Sequence, residues 1–497
     1  MSERRRLDHA LLSGVAWTAL FRWLAQAASW IATLLAARML QPGDYGILSM
    51  AMIPIGMVRM VEDFGLDSIL VQDRSIAGER QARLAGFVLM MGAVLFGLFL
   101  LLAVPIASFF KEPQLASVVA LLSVLFLTDA LQVIPRAGLQ RTLQFRRLAI
   151  ALFLQVLVTQ GVLLLAASSG WGVWSLVVNS IAGAVAVTTL LAIWHPFSIR
   201  WPKDLRDLAR PLLQGWRIMA SRFAYWFYTT ADQTIIGRVL GKDSLGAYSF
   251  ATTFSTVAMQ EVGSVVSRVV PGIFSQTQHR REELRRYFLT LTELLSYLTL
   301  PATIGLALTA ELFVHAVLGP QWEGVIAPLR LLCLFAAFSS AQVLVSHVML
   351  WTGQFRAVMW CTVLTAVTLP LAFLIGVRYG LAGVALAWAV VYPLTNLPPL
   401  VIAFRTIAIS FLDWFEALRP AVLSCIVMSV AVFGTSIELP AHTTPLFAFA
   451  ACITVGAITY VATLWFAFGR RVMGLVNEIR AARVQATGAA DAPASVG

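Results

Sequence analysis

The sequence predicts an all-α, polytopic membrane protein of about 14 transmembrane helices. Two pseudo-symmetric six-helix bundles in a parallel repeat would be followed by two C-terminal helices. Composition, the placement of arginine and lysine, and an internal repeat together predict this fold class. The 497 residues are 59% hydrophobic and 12% charged, with a mean hydropathy of +0.81; a soluble domain carries about 25% charged residues. In water such a chain would expose apolar surface on a scale that soluble proteins avoid. That excludes a soluble enzyme, a nucleic-acid-binding module and a disordered chain.

A bilayer span needs about 20 mostly apolar residues, and in hydrocarbon it must satisfy its backbone polar groups internally, which makes helices the expected unit. With Arg, Pro and Gly clusters as punctuation, spans are expected at 12–38, 45–70, 84–110, 115–138, 148–168, 172–194, 212–240, 245–275, 288–318, 325–352, 357–377, 381–404, 418–436 and 446–468. The expected domains are an N-terminal bundle over 1–200, a C-terminal bundle over 201–410, two additional helices over 411–469 and a cytoplasmic tail over 470–497. The tail is polar and Ala-rich, and partial disorder is expected there. Arg4, Arg5 and Arg6 resemble a secretory n-region, but the apolar stretch behind them runs to about Ala37. That is too long for a cleavable signal, so a retained first helix is expected. Cys333, Cys361, Cys425 and Cys452 each sit inside an apolar run, at no metal or redox spacing. They read as small buried hydrophobes, and neither a metal site nor a cofactor is expected.

Cationic residues set orientation. With the N-terminus in the cytoplasm, 25 of the 36 Lys and Arg fall in inside segments, 5 in outside loops and the rest within spans. This predicts N-in, C-in topology in a bacterial inner membrane. The net charge of +11 is then explained by topology and contact with anionic lipid rather than by nucleic acid. A shift of 200 residues lays RMLQPGDYGILSMA on RVLGKDSLGAYSFA, matching Arg38 with Arg238, Leu40 with Leu240, Gly46 with Gly246, Ser49 with Ser249 and Ala51 with Ala251. Six expected spans separate the copies. An even number preserves direction, so the repeat is parallel, about an axis along the membrane normal. Two bundles related in this way provide a central cleft and a rocking motion.

Charges within spans cost at least about 2.5 kcal/mol each and face protein or water. The cations are Arg22, Arg59, Arg217, Arg222, Arg268 and Arg330; the anions are Glu62, Asp63, Asp129, Asp232, Glu261, Glu293 and Glu311. Arg22 and Arg222 are related by the repeat, and Arg59 and Arg268 lie on the second helix of each half. Converging from both bundles, these four would form a cationic, substrate-binding chamber for a phosphate or pyrophosphate, which arginine grips bidentately. The plainer alternative pairs Arg59 with Glu62 and Arg268 with Glu261 along one helix face, and lets Arg217 and Arg330 snorkel. Asp232, with Thr229, Thr230 and Gln233 beside it, is the candidate for ion coupling to Na+ or H+, because burial favours a neutral carboxyl. An interhelical hydrogen bond is its structural alternative. His347, in mid-span, reads as packed. Trp30, Tyr225, Trp226 and Tyr228 are candidates for sugar contact, or equally for packing and interfacial anchoring.

No catalytic residues are expected. Every outside loop is short, Pro42–Gly46 and Gly319–Glu323 read as turns, and there is no phosphate-binding loop. A membrane polymerase or ligase of polysaccharide would present a large outer loop with paired acids. A multidrug antiporter of the same fold, the nearest rival, would present an acidic or apolar cavity.

The segments LAARMLQPGDYGILSMA, VEDFGLDSILVQD, ADQTIIGRVLGKDSLGAYSFA, VLGPQWEGVIAPLRLLCL and YGLAGVALAWAVVYP, in that order over about residues 8–470, resemble the polysaccharide transporter (Wzx-type oligosaccharide flippase) family. Its superfamily also contains multidrug extruders and lipid II flippases, and the likeness is greatest to colanic-acid and exopolysaccharide exporters. The resemblance implies a non-enzymatic flippase that moves an undecaprenyl-pyrophosphate-linked oligosaccharide to the outer leaflet. Its partners would be membrane lipids and the polysaccharide polymerase and glycosyltransferases of the pathway. It also implies that Arg22, Arg59 and Arg268, on the first, second and eighth helices, meet the pyrophosphate, and that Asp232 occupies a recurrent acidic position.

Overall fold

The computed structural model describes residues 3–62, 78–201, 226–277, 280–440 and 443–491, which are helices joined by short turns with no strand among them. In chain order the helices are α1 (Glu3–Met39), α2 (Pro42–Glu62), α3 (Glu79–Phe110), α4 (Gln114–Leu122), α5 (Val124–Arg141), α6 (Phe145–Ser168), α7 (Val173–Trp194), α8 (226–239), α9 (Lys242–Thr277), α10 (Arg281–Leu308), α11 (Ala310–Phe313), α12 (Ile326–Ala341), α13 (Val343–Trp351), α14 (Phe355–Gly376), α15 (Gly380–Ile407), α16 (Phe411–Glu438) and α17 (Pro445–Asp491). Nine helices or near-continuous helical runs among the described residues are long and apolar enough to cross a membrane. The expected spans 357–377 and 381–404 share one of these runs, divided by a tight turn at Val377–Tyr379. The segment from Arg470, expected to be partly disordered, instead continues α17 to Asp491. Its Ala, Arg and Glu residues are strong helix formers, and they extend a helix that is already nucleated.

Lipid-facing and protein-facing surfaces are distinguished by exposure. Leu101 is 78% and Phe466 86% exposed, tolerable only where the surroundings are as apolar as the side chains. Prolines interrupt many of the helices, with Pro393, Pro398 and Pro399 all inside α15; membrane helices tolerate them because neighbouring groups satisfy the released carbonyls. All four cysteines are free thiols within apolar packing.

The chain divides into two compact units. The first comprises Met1–Phe250, Val317–Gly324 and Pro370–Val384; the second comprises Ala251–Ala316, Val325–Leu369 and Ala385–Gly497. Within the first, α1 packs on α6, α6 on α7, and α5 on both α3 and α7. Within the second, α10 packs on α12 and α16, and α16 on α17. A core of Phe274, Phe288, Phe404, Trp414 and surrounding Leu and Val residues fills this unit. The start of α16 is fixed by a capping box: Ser410 Oγ accepts from the Asp413 amide, and Asp413 Oδ2 accepts from the Ser410 amide, both at 3.0 Å. Asp413 Oδ2 also accepts from Arg285 on α10 at 2.9 Å.

The two copies of the repeat meet inside the first unit. A Cβ built on Gly46 would strike the carbonyl oxygen of Lys242, and one built on Gly246 would strike that of Pro42. Ser49 Oγ and Ser249 Oγ lie 3.0 Å apart. The first turns of α2 and α9 therefore run side by side at backbone contact, residue against its equivalent. Small residues at such a crossing allow two membrane helices to approach this closely.

Candidate functional site

The site is built from the bottom of this crossing outward, in the first unit. At the end of α1, the carbonyl of Ala37 is one of the last four that a helix leaves without an internal partner. Trp322 Nε1 donates to it at 2.8 Å and Gln321 Nε2 at 3.3 Å, while Arg38 Nε donates to the Val317 carbonyl at 2.8 Å. Gly319, at φ 109°, makes the left-handed bend that brings the tryptophan back. Trp322 is fully buried. Its ring lies 4.1 Å from that of Phe250 and 5.5 Å from that of Tyr45, centroid to centroid, and Tyr45 meets Phe250 edge-on at 4.6 Å. The segment Gly319–Glu323, expected to be a turn, is a bend leading into a short 3-10 helix (Pro320–Val325) that packs against the end of α1 and Phe250.

Asp232 lies on α8, 2% exposed. Its Oδ2 accepts the hydroxyl of the fully buried Tyr248, on α9, at 2.8 Å, and its Oδ1 accepts the Gln233 amide at 2.7 Å. The carboxylate thus ties together the hairpin α8–α9, whose turn is made by Gly241 at φ 85°. Thr230 and Thr234 donate their hydroxyls to carbonyls of their own helix, at 2.8 and 2.9 Å. Beside Asp232, Thr230 and Ala231 line an almost wholly apolar cavity of about 520 Å³, with Pro54 of α2, Phe109 of α3 and Trp226 of α8 among its other walls. Trp226 also lies close against Gly56, where a Cβ would stand 3.2 Å from the ring.

Arg59 is at the far end of α2. Its guanidinium pairs with Asp129 of α5 at 2.6 Å, with the two side chains 42% and 23% exposed. Arg59 thus makes a bond between helices, to a partner far from it in sequence. Arg22 sits on the exposed surface of α1 next to the exposed Trp23 and Leu24. Arg217, Arg222, Tyr225 and Asp63 lie outside the described residues. Arg268 and Glu261 lie on α9, and Glu62 on α2, but their side chains are outside the described set. In the second unit, Arg330, expected to snorkel, pairs with Glu311 at 3.0 Å. Glu293, 4% exposed, is held by Arg471 of α17 at 2.7 and 2.9 Å and by the hydroxyl of Tyr297. His347 points its Nδ1 toward the Val343 carbonyl at 3.2 Å.

Every intramembrane carboxylate whose side chain is described, namely Asp129, Asp232, Glu293 and Glu311, thus has a polar partner. Sequence reasoning located the charges and missed these partners. Asp129 and Arg59 are too far apart in sequence for any local pattern to connect them. Glu311 and Arg330 carry a weak signal, since they stand at similar distances on either side of the Gly319–Glu323 turn and so face each other across a hairpin.

Long apolar helices packed together, with charges paired between them, define a multi-pass membrane protein. The fold matches the solved structure titled "Lipid II flippase MurJ, inward closed conformation" with a TM-score of 0.72, at 12% identity, over 92% of this chain and 99% of that one. The chain belongs to the polysaccharide biosynthesis protein family, whose model matches residues 35–327. Among its relatives are the succinoglycan biosynthesis transport protein ExoT of Rhizobium meliloti (strain 1021), 24% identical over 84% of this chain and 85% of the relative. The lipopolysaccharide biosynthesis protein WzxC of Escherichia coli (strain K12) is 25% identical over 67% of this chain and 68% of the relative. The protein is accordingly a multi-pass membrane protein of a polysaccharide exporter family.

Proposed function

We propose that the protein is a flippase for an undecaprenyl-pyrophosphate-linked oligosaccharide. It carries the head group across the inner membrane by alternating access between its two bundles, for exopolysaccharide or lipopolysaccharide synthesis, and performs no covalent chemistry. The observation that carries this reading is the state of Arg59. Within a span the guanidinium is held by Asp129, yet its side chain remains 42% exposed, so an incoming phosphate oxygen can exchange for the carboxylate. Arginine suits this exchange because its planar fork grips phosphate and carboxylate alike. Arg22, Arg222 and Arg268 complete the cationic chamber, the polyprenyl tail stays in lipid, and the family's named role in polysaccharide biosynthesis supplies the substrate class. Asp232 couples the cycle to Na+ or H+, its release from Tyr248 being the step that an ion would compete for.

The test is the sidedness of labelled lipid-linked oligosaccharide in inner membranes from a gene deletion, complemented with wild type, Arg59→Ala or Arg22→Ala/Arg222→Ala. Build-up on the cytoplasmic face in the deletion and in both variants, at normal protein levels, is expected. Normal sidedness in the deletion would overturn the flippase reading, and changed drug tolerance in the same cells would then point to an antiporter. Normal sidedness in both arginine variants would overturn the chamber alone. Asp232→Asn should leave substrate binding intact and abolish the dependence of transport on the ion gradient.

A further inference from the structure

We propose that a second cavity, in the second unit, binds the headgroup of a zwitterionic phospholipid bearing a primary ammonium, with Arg330 taking the phosphate and Glu311 the ammonium. The cavity holds about 790 Å³. Leu308, Leu312, Leu334 and Phe433 give it apolar walls, and Glu311 and Arg330 stand in its lining. It therefore has the amphipathic make-up of the lipid interface itself: room for chain and glycerol against the leucines, and one charge of each sign within 3.0 Å of the other.

Depth agrees with this occupant. Glu311 precedes Gly319 by eight residues, about two helical turns, the second of them a π-helix over Val314–Leu318. The cavity closes against Leu439, Pro440 and Thr443 in the turn between α16 and α17. Both turns are outside loops on the topology read from the arginines. The charged pair thus lies near the level at which phosphates meet the hydrocarbon of the leaflet opposite the arginine-rich loops.

Charge complementarity selects the headgroup. An anionic headgroup would set its phosphate against Glu311, and a cationic one would set its ammonium against Arg330. A zwitterion with adjacent phosphate and ammonium satisfies both side chains and leaves the site neutral. A primary ammonium brings three hydrogen-bond donors for the Glu311 carboxylate, whereas a quaternary ammonium brings none. Opening the existing pair costs little. Its side chains are 47% and 60% exposed, so a headgroup can reach both, and its own two charges replace each partner as the pair opens.

Native mass spectrometry of the detergent-purified, delipidated full chain, titrated separately with phosphatidylethanolamine, phosphatidylcholine and phosphatidylglycerol, tests the assignment. Wild type should bind one phosphatidylethanolamine about tenfold more tightly than either other lipid, the effect of one charge-assisted hydrogen bond. Glu311→Gln/Arg330→Gln should erase that preference. So should Leu334→Trp, which fills the cavity and leaves the pair in place. Equal binding of all three lipids by wild type, or a preference that survives in both variants, would overturn the proposal. Preferential phosphatidylglycerol binding, lost in Arg330→Gln and kept in Glu311→Gln, would overturn the ammonium assignment by showing an anionic occupant.

Discussion

Two of the ion pairs between helices of this protein are built differently. In the first unit Arg59 meets Asp129 at 2.6 Å, and the carboxylate side chain is 23% exposed. In the second, Arg471 grips Glu293 with two nitrogens at 2.7 and 2.9 Å, and the carboxylate is 6% exposed. Tyr297 adds its hydroxyl to Glu293, and its carbonyl accepts from Tyr460 of α17 at 3.0 Å. The first carboxylate is the more accessible of the two. The second accepts from three donors and fastens the last helix to α10. An intramembrane charge is therefore informative about transport only after its satisfaction is known: Arg59 and Glu293 are equally costly in the sequence and differ entirely in what holds them.

Substitutions can break or sharpen that contrast. The largest effect is expected at the closed pair. Glu293→Ala removes the acceptor shared by Arg471 and Tyr297, and hydrogen bonds to a charged group contribute about 1.5–3 kcal/mol; thermal unfolding in detergent should show a large loss of stability, with loss of export following loss of protein. Equal stability of this variant and wild type would erase the distinction. At the open pair, Arg59→Ala should reduce export at least tenfold, equivalent to about 1.4 kcal/mol, while the unfolding temperature stays near that of wild type. A melting shift as large as that of Glu293→Ala would make Arg59 a fastener too. Trp322→Phe keeps the ring packing and removes the bond to the Ala37 carbonyl, so a loss of about 1 kcal/mol is expected, read by unfolding. The smallest effect belongs to Ser49→Ala, which removes the Ser49–Ser249 bond. Hydrogen bonds between membrane helices average about 0.6 kcal/mol, so stability should barely move and export should persist.

Much of the architecture is legible in the sequence because the bilayer imposes it. Long apolar runs, arginines gathered on alternate loops and the identities between 38–51 and 238–251 each follow from a physical constraint that acts on local sequence. The repeat even anticipates the contact, since Ser49 and Ser249 are matched by the shift and touch in the structure. Partners are another matter. Which carboxylate reaches Arg59 depends on how α2 and α5 are rotated about their axes, and rotation is set by packing rather than by hydropathy. For the same reason Asp232 was visible as an expensive acid while Tyr248, an ordinary aromatic in an apolar run, was not. Trp322 looked like part of a turn because Gly and Pro surround it. Its burial follows from the end of α1, nearly 300 residues earlier, needing donors for its carbonyl.

The reciprocal approach of Gly46 to Lys242 and of Gly246 to Pro42 has the form of an isologous interface, in which a patch on one half binds the same patch on the other. Such a surface is what a homodimer of half-length chains would use, and here it lies within a single polypeptide. Side-chain growth at either glycine collides with the opposite backbone, so neither half can drift there without an accommodating shift in its sibling. The two halves are bound in this way to change together at their shared seam, while the rest of each remains at liberty to diverge.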